Sequence, residues 1–154
     1  MRPLIVGEHN PVSADPRHAL YPEPAGCAGH RLCVKVMGLR PRTYLRVFER
    51  TNLLSAAAWR TGEARVAAER ITADCAEGRV IVLLGVRVAA AFGLPPYQRR
   101  AQSVLLVAEP RVVVVALPHP SGRNRIWNAP GAVETARALL RGALPDVPFG
   151  EADA

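Results

Sequence analysis

The sequence predicts a three-layer α/β/α sandwich built on a mostly parallel sheet. Three observations carry that prediction. Residues 4–6, 80–84 and 112–115 are short, unbroken apolar runs rich in β-branched side chains, as expected of strands buried on both faces. Stretches with apolar residues at helical spacing lie between them, and alternating strands and helices give parallel sheets. Hydrophobic residues make up 49% of 154, enough for one real core, and no linker is long enough to divide it. A single domain over residues 1–144 is expected, followed by a flexible tail at 145–154.

Leu4-Ile5-Val6-Gly7 reads as the first strand and ends in the polar turn Glu8-His9-Asn10-Pro11. Residues 13–29 are rich in Pro, Gly and polar groups, and a loop this long directly after a strand points to function. Residues 29–37 read as a helix stopped by Gly38, and 41–48 as a second helix with Pro41 in its first turn. Residues 50–54 form the second strand. Thr61 is a candidate cap for a helix over 62–77, with Ala64, Ala67, Ala68, Ile71 and Cys75 on one face and Gly78 as its stop.

Residues 80–84 are the third strand, closed by Gly85, and 86–92 a short helix. Residues 95–100 make a basic, irregular loop. Residues 104–108 and 111–116 are strands around Glu109-Pro110, a hairpin or a strand at the sheet edge. The last helix covers about 132–141, with Ala132, Ala136, Leu139, Leu140 and Ala143 inward.

The net charge of +7, from 20 basic and 13 acidic residues, suggests a polyanionic partner, nucleic acid before anionic membrane. Lys35 is the only lysine, so the arginine preference itself reflects a compositional bias; the excess of positive charge is the informative part. Three cysteines, Cys27, Cys33 and Cys75, with no CxxC spacing, argue against a zinc site or a disulfide framework. Cys75 falls in an apolar helical pattern and reads as core. No apolar run approaches the ~20 residues of a membrane span, and the first strand starts without a leader, so a cytoplasmic, reducing setting is expected.

The chain lacks GxGxxG after its first strand, GxxxxGK[ST] and GxSxG, which weakens nucleotide-binding and hydrolase readings. Ser121 as a nucleophile with His119 as its base is disfavoured, because residues two apart on one loop seldom reach triad geometry.

Two turns at opposite ends of the chain carry a resemblance. Val6-Gly7-Glu8-His9-Asn10-Pro11 and His119-Pro120-Ser121-Gly122-Arg123-Asn124 resemble the two signature turns of the uracil-DNA glycosylase superfamily. The first turn there reads GQDPYH, GEAPG or GxNPG, and the second HPSPLS or NPSGLN. Thr51-Asn52-Leu53-Leu54 stands where the superfamily places an Asn after its second strand. Residues 21–29 resemble the GxPFxGxAG segment of its iron–sulfur branch, and 83–93 its third strand and helix. The match follows the right order over nearly the whole chain, and the HPSG turn is its most specific piece.

The resemblance implies a uracil-DNA-glycosylase-like fold and a monofunctional DNA glycosylase that flips a base, uracil by default, out of the stack and hydrolyses its glycosidic bond. It implies the following roles. His119 donates a hydrogen bond to the base anion as it forms. Asn52 reads the Watson–Crick edge with an amide that both donates and accepts. The stacking aromatic of the family falls on Pro24, and Tyr21 is the substitute. Asn10 is favoured to position water, with Glu8 as the rival that can also take its proton. His9 and Ser121 complete the pocket. Gly122, Arg123, Asn124 and Arg125 take the place of the wedge that enters the DNA stack, with Arg123 replacing its usual apolar residue, and Arg99 and Arg100 are further phosphate contacts.

The iron–sulfur branch needs four cluster cysteines, and this chain has three at other spacings, so no cluster, metal or cofactor is expected. The expected partner is DNA, single- or double-stranded, bound by a monomer. Competing readings are a glycosylase for another modified base, such as a hypermodified base of phage DNA, and a non-catalytic DNA-binding module on the same scaffold. A nucleoside hydrolase or transferase acting on small molecules is a third.

Overall fold

The computed structural model describes residues 1–153 apart from 11, 12, 14, 56, 57, 95–101 and 107–109, with backbone alone at 102–106. A five-stranded sheet runs in the order β2-β1-β3-β5-β4, from β1 (Leu4–Gly7), β2 (Glu49–Asn52), β3 (Val80–Leu84), β4 (Gln102–Leu106) and β5 (Val112–Leu117). The first four strands in that order are parallel neighbours, and β4 closes the edge antiparallel to β5. β4 thus lies at the edge and pairs antiparallel with the strand that follows it, so both arrangements its sequence allowed, a hairpin partner and an edge strand, describe it.

The period of two along each strand sends alternate side chains to opposite faces. Ile5, Val82, Leu84, Val115 and Leu117 face one layer: α1 (Ala28–His30), the π-helical segment Arg31–Val36 that continues it, α2 (Pro41–Val47) and α5 (Ala132–Ala143). Leu4, Val6, Ile81, Leu83, Val112, Val114 and Ala116 face the other, against α3 (Thr61–Asp74) and α4 (Val86–Ala91). Both faces are covered, which is why these strands read as continuous apolar runs. The three-layer α/β/α sandwich is therefore present.

Helix α3 begins at Thr61 with Arg60 as its cap, so Thr61 is the first helical residue and not the cap. Ala64, Ala68 and Cys75 are buried along its expected face. No helix among the described residues is long and apolar enough to cross a membrane.

The expected flexible tail is packed. Phe149 is 6% exposed and joins the core beside α5. Gly150 and Ala152 donate backbone hydrogen bonds to the carbonyls of Met37 and Gly38. Arg141 donates to the Phe149 carbonyl and Arg137 pairs with Asp153. An aromatic anchor and two arginines on the preceding helix hold the segment that was expected to fray.

Strand order reverses at β1: the chain steps from β1 outward to β2, then back across to β3. Such a switch point leaves a crevice outside the carboxyl ends of the two strands that part there. The turn after β1 and Gly85 after β3 sit at that crevice, so topology alone selects the place where residues 8–10 are displayed.

Candidate active site

The crevice opens into a cleft of about 560 Å³ whose lining includes Glu8, His9, Asn10, Tyr21, Asn52 and His119. Residues more than a hundred positions apart in sequence thus meet at one edge of the sheet. Ser13, His18, Glu23 and Cys27 also line it. The sequence supplied the loop but no periodicity from which its inward side chains could be chosen.

Each principal group is held by a specific local arrangement. Asn52 ends β2 in register with Gly7 at the end of β1. A Cβ on Gly7 would stand 2.6 Å from Asn52 Oδ1, so glycine at this position makes room for the carboxamide. Gly85 has φ +95°, and a Cβ there would meet His119 Cβ at 3.4 Å and Glu8 Oε1 at 3.7 Å. The imidazole and the Glu8 carboxylate therefore converge over a residue that has no side chain.

His119 emerges from β5 and is fixed by the turn that follows. The Ser121 N–H donates to His119 Nδ1 at 3.1 Å. Nδ1 is then the acceptor, and in the neutral ring the proton resides on Nε2. The His119 carbonyl accepts from Asn124 Nδ2 at 3.0 Å and from Trp127 Nε1 at 3.1 Å. Arg31 Nε, on the π-helical segment, donates to the Pro120 carbonyl at 3.1 Å. A buried indole, an amide and a guanidinium thus brace one short turn.

Burial holds the His119 imidazole below its ordinary value of 6.5, against a raising influence of Glu8, while His9 adds to the lowering. The unfolded chain takes up this proton as pH falls through 6.5, and the folded protein resists it. Stability from the neutral ring is thus fully present above 6.5 and is lost as pH falls below it. Thermal melts at about pH 7.5 and about pH 5.5 are expected to show a larger loss for the wild type than for His119→Gln. Equal losses would remove His119 from the acid response.

Asn10 behaves differently from expectation. Its Oδ1 accepts from the Ser13 N–H at 3.2 Å and its Nδ2 donates to the His18 carbonyl at 3.3 Å. The carboxamide is committed to the loop that follows, an Asx-type turn. The Glu8 carboxylate lines the same cleft and has no hydrogen-bond partner among the described residues.

Tyr21 is 38% exposed on the cleft wall. Its loop is anchored from below. Tyr44 Oη donates to the Leu20 carbonyl at 2.9 Å, and burial pushes that phenol well above its ordinary value, which keeps it a donor. Arg50 Nη1 donates to the Ala19 carbonyl at 2.8 Å. Leu20 adopts φ +50°, a conformation unusual for leucine and sustained only where surroundings fix it. Pro24, where the family that the sequence resembles carries an aromatic, lies on the same wall.

Ser121 does not line the cleft, and it acts through its N–H on His119. Asn124 is turned inward to the His119 carbonyl and caps the 3-10 turn Arg125–Asn128 by accepting from Ile126 N–H at 3.2 Å. It braces the turn and is not displayed to a ligand. Gly122, Arg123 and Arg125 are exposed, and neither arginine has an ion pair or hydrogen bond among the described residues. Arg99 and Arg100 lie outside the described residues.

All three cysteines are free, Cys33 and Cys75 buried and Cys27 at the cleft. Burial pushes the Cys33 thiol up to about 12, which leaves it an inert core group. No group of three or more His, Cys, Asp or Glu suited to a metal ion occurs among the described residues.

No protein-family model matches the chain, and no curated protein matches it.

Proposed function

We propose that this protein is a monofunctional DNA glycosylase of the uracil-DNA glycosylase type, with uracil as its default base. The observation that carries the reading is the convergence of Asn52, Glu8 and a tautomer-fixed His119 at the carboxyl ends of three parallel strands. The order of the two resembling turns along the chain supports it, as does the net charge of +7.

In this reading the base enters the cleft against Tyr21, and the Asn52 amide pairs with its Watson–Crick edge. The glycosidic C–N bond breaks with both electrons leaving on the base. His119 Nε2–H donates a hydrogen bond to the oxygen that gathers this charge. A water oxygen bonds to the sugar carbon and its proton passes to the Glu8 carboxylate. Asn10 gives up the water-positioning role the sequence favoured for it, because its amide holds the loop. The base anion then takes a proton from solvent, and the abasic strand is left intact.

The test is incubation with labelled oligonucleotides carrying uracil, single-stranded or opposite G or A, followed by alkali. Strand breaks at uracil are expected. Silence on uracil and on DNAs with other modified bases, with DNA still bound, would replace this reading with the binding module.

Arg123 and Arg125 take the DNA-facing role, Arg123 at the gap left by the flipped base. Charged groups facing phosphate make affinity fall with salt, with a slope of roughly 0.9 per contact. The Arg123→Ala, Arg125→Ala double variant is expected to flatten the plot of log affinity against log salt by about one to two contacts. Fluorescence anisotropy over a salt series reads this directly, and an unchanged slope would place the phosphates elsewhere.

A further inference from the structure

Against the Tyr21 ring stands a cation with no acidic partner among the described residues. Arg50 Cζ lies 5.6 Å from the centroid of the Tyr21 ring. Its Nη1 bonds only to carbonyl oxygens, Ala19 at 2.8 Å and Arg17 at 3.4 Å. Its Nε is buried without a hydrogen-bond partner, and it forms no ion pair with a carboxylate among the described residues. Part-buried charges are normally paired.

Among the described residues the cleft lining contains no lysine or arginine, and it holds two carboxylates, Glu8 and Glu23. Arg50 is not among the described residues that line the cleft, whereas Tyr21, whose ring it faces, is. A cation on one face of an aromatic ring draws π density toward itself. The opposite face then repels an electron-rich partner less, and the charge acts over the short path through the ring.

We propose that Arg50, acting through Tyr21, selects for negative charge on the base held in the cleft. This rests on the glycosylase reading for its consequence, which is that stacking strengthens as the base becomes an anion. Arg50 is a positioning residue in this scheme: it touches the ring and the Ala19 carbonyl and never the base. A stacking ring with no cation behind it would hold neutral and anionic base alike, which accelerates nothing.

The experiment compares two free pyrimidines by calorimetry at neutral pH: uracil, which is neutral, and barbiturate, which is an anion. The wild-type protein is expected to prefer barbiturate by about tenfold. Arg50→Gln removes the charge while keeping a polar donor at the position of Nε, and is expected to lose that preference, with a smaller effect on uracil binding. Arg50→Lys keeps the charge and is expected to retain most of the preference. Tyr21→Leu removes the ring and is expected to weaken both ligands.

No barbiturate preference in the wild-type protein overturns the proposal. So does a preference that survives Arg50→Gln, or an equal loss of both ligands in Arg50→Gln and Arg50→Lys, which would be a purely structural role. Should Arg50→Gln fail to give a cooperative melt, the wild-type preference and Arg50→Lys still decide. If uracil-DNA is left uncleaved while an Arg50-dependent preference is present, the glycosylase reading fails and the charge selection stands. If cleavage occurs with no such preference, the reverse holds.

Discussion

Replacing His119 with alanine is expected to lower the single-turnover rate of uracil excision by about 10²–10³-fold, the usual cost of one preorganised donor to a developing oxyanion. The geometry makes this donor unusually fixed. The Ser121 N–H holds Nδ1 as an acceptor, so Nε2 carries the hydrogen, and the His119 carbonyl is gripped by Asn124 and Trp127. Burial disfavours the charged ring, so near neutral pH the donor is imidazole and no counter-charge is needed. DNA affinity is expected to stay within about twofold, because phosphate contacts supply most of it. Rapid-quench kinetics with enzyme in excess measures the rate and anisotropy the affinity. A variant as fast as the wild type would remove His119 from the chemistry, and with it the catalytic reading of the cleft.

Gly29→Ala is expected to be the most damaging small substitution in the wall of the cleft. A Cβ at this position would lie 2.1 Å from the Tyr21 carbonyl oxygen and 2.5 Å from the Leu20 carbonyl carbon. These are backbone atoms with nowhere to go. Leu20 is already held at φ +50° with its carbonyl accepting from Tyr44, and Ala19 is held by Arg50. Either α1 lifts away from the loop or the loop tears from Tyr44. A loss of about 3 kcal/mol or more is expected, at the upper end for overpacking. Urea denaturation checks the stability, and titration with uracil checks whether Tyr21 is still displayed. A variant with wild-type stability and binding would mean that helix and loop can slide apart freely.

The strands were legible because a buried parallel sheet writes itself as consecutive β-branched residues, as at 112–115. Asn52 and His119 were singled out by the resemblance of their stretches to a known family, Asn52 at the end of the polar strand β2 and His119 two residues past β5. Glu8 and Asn10 were not separable from sequence. Both are polar, both follow β1, and what parts them is the path of a loop that carries the Ser13 N–H and His18 carbonyl back to Asn10. Asn124 looked like a DNA contact because it stands in a basic turn, and its inward orientation depends on a carbonyl five residues earlier. Arg50 was invisible as a functional group, since an arginine in a strand reads as a solvated edge until the loop above it is placed. The tail was misread for a similar reason: it was expected to fray as a terminal segment, while its docking depends on Phe149 and on arginines of α5.

That docking bears on how the molecule comes into being. Arg137 donates to the Val36 carbonyl across 101 residues, and Arg40 N–H donates to Glu151 across 111. The helical layer that supports Arg31 and the loop of Tyr21 is therefore completed by a segment more than a hundred residues further along the chain. Contacts so distant in sequence carry a high loop-closure entropy and slow the search for the native state. A nascent chain with its first three strands already translated still lacks the partner that covers Met37 and Gly38. During synthesis that apolar layer stays open until residues 149–152 are in place, and its native packing is expected to arrive abruptly with them, not gradually with length.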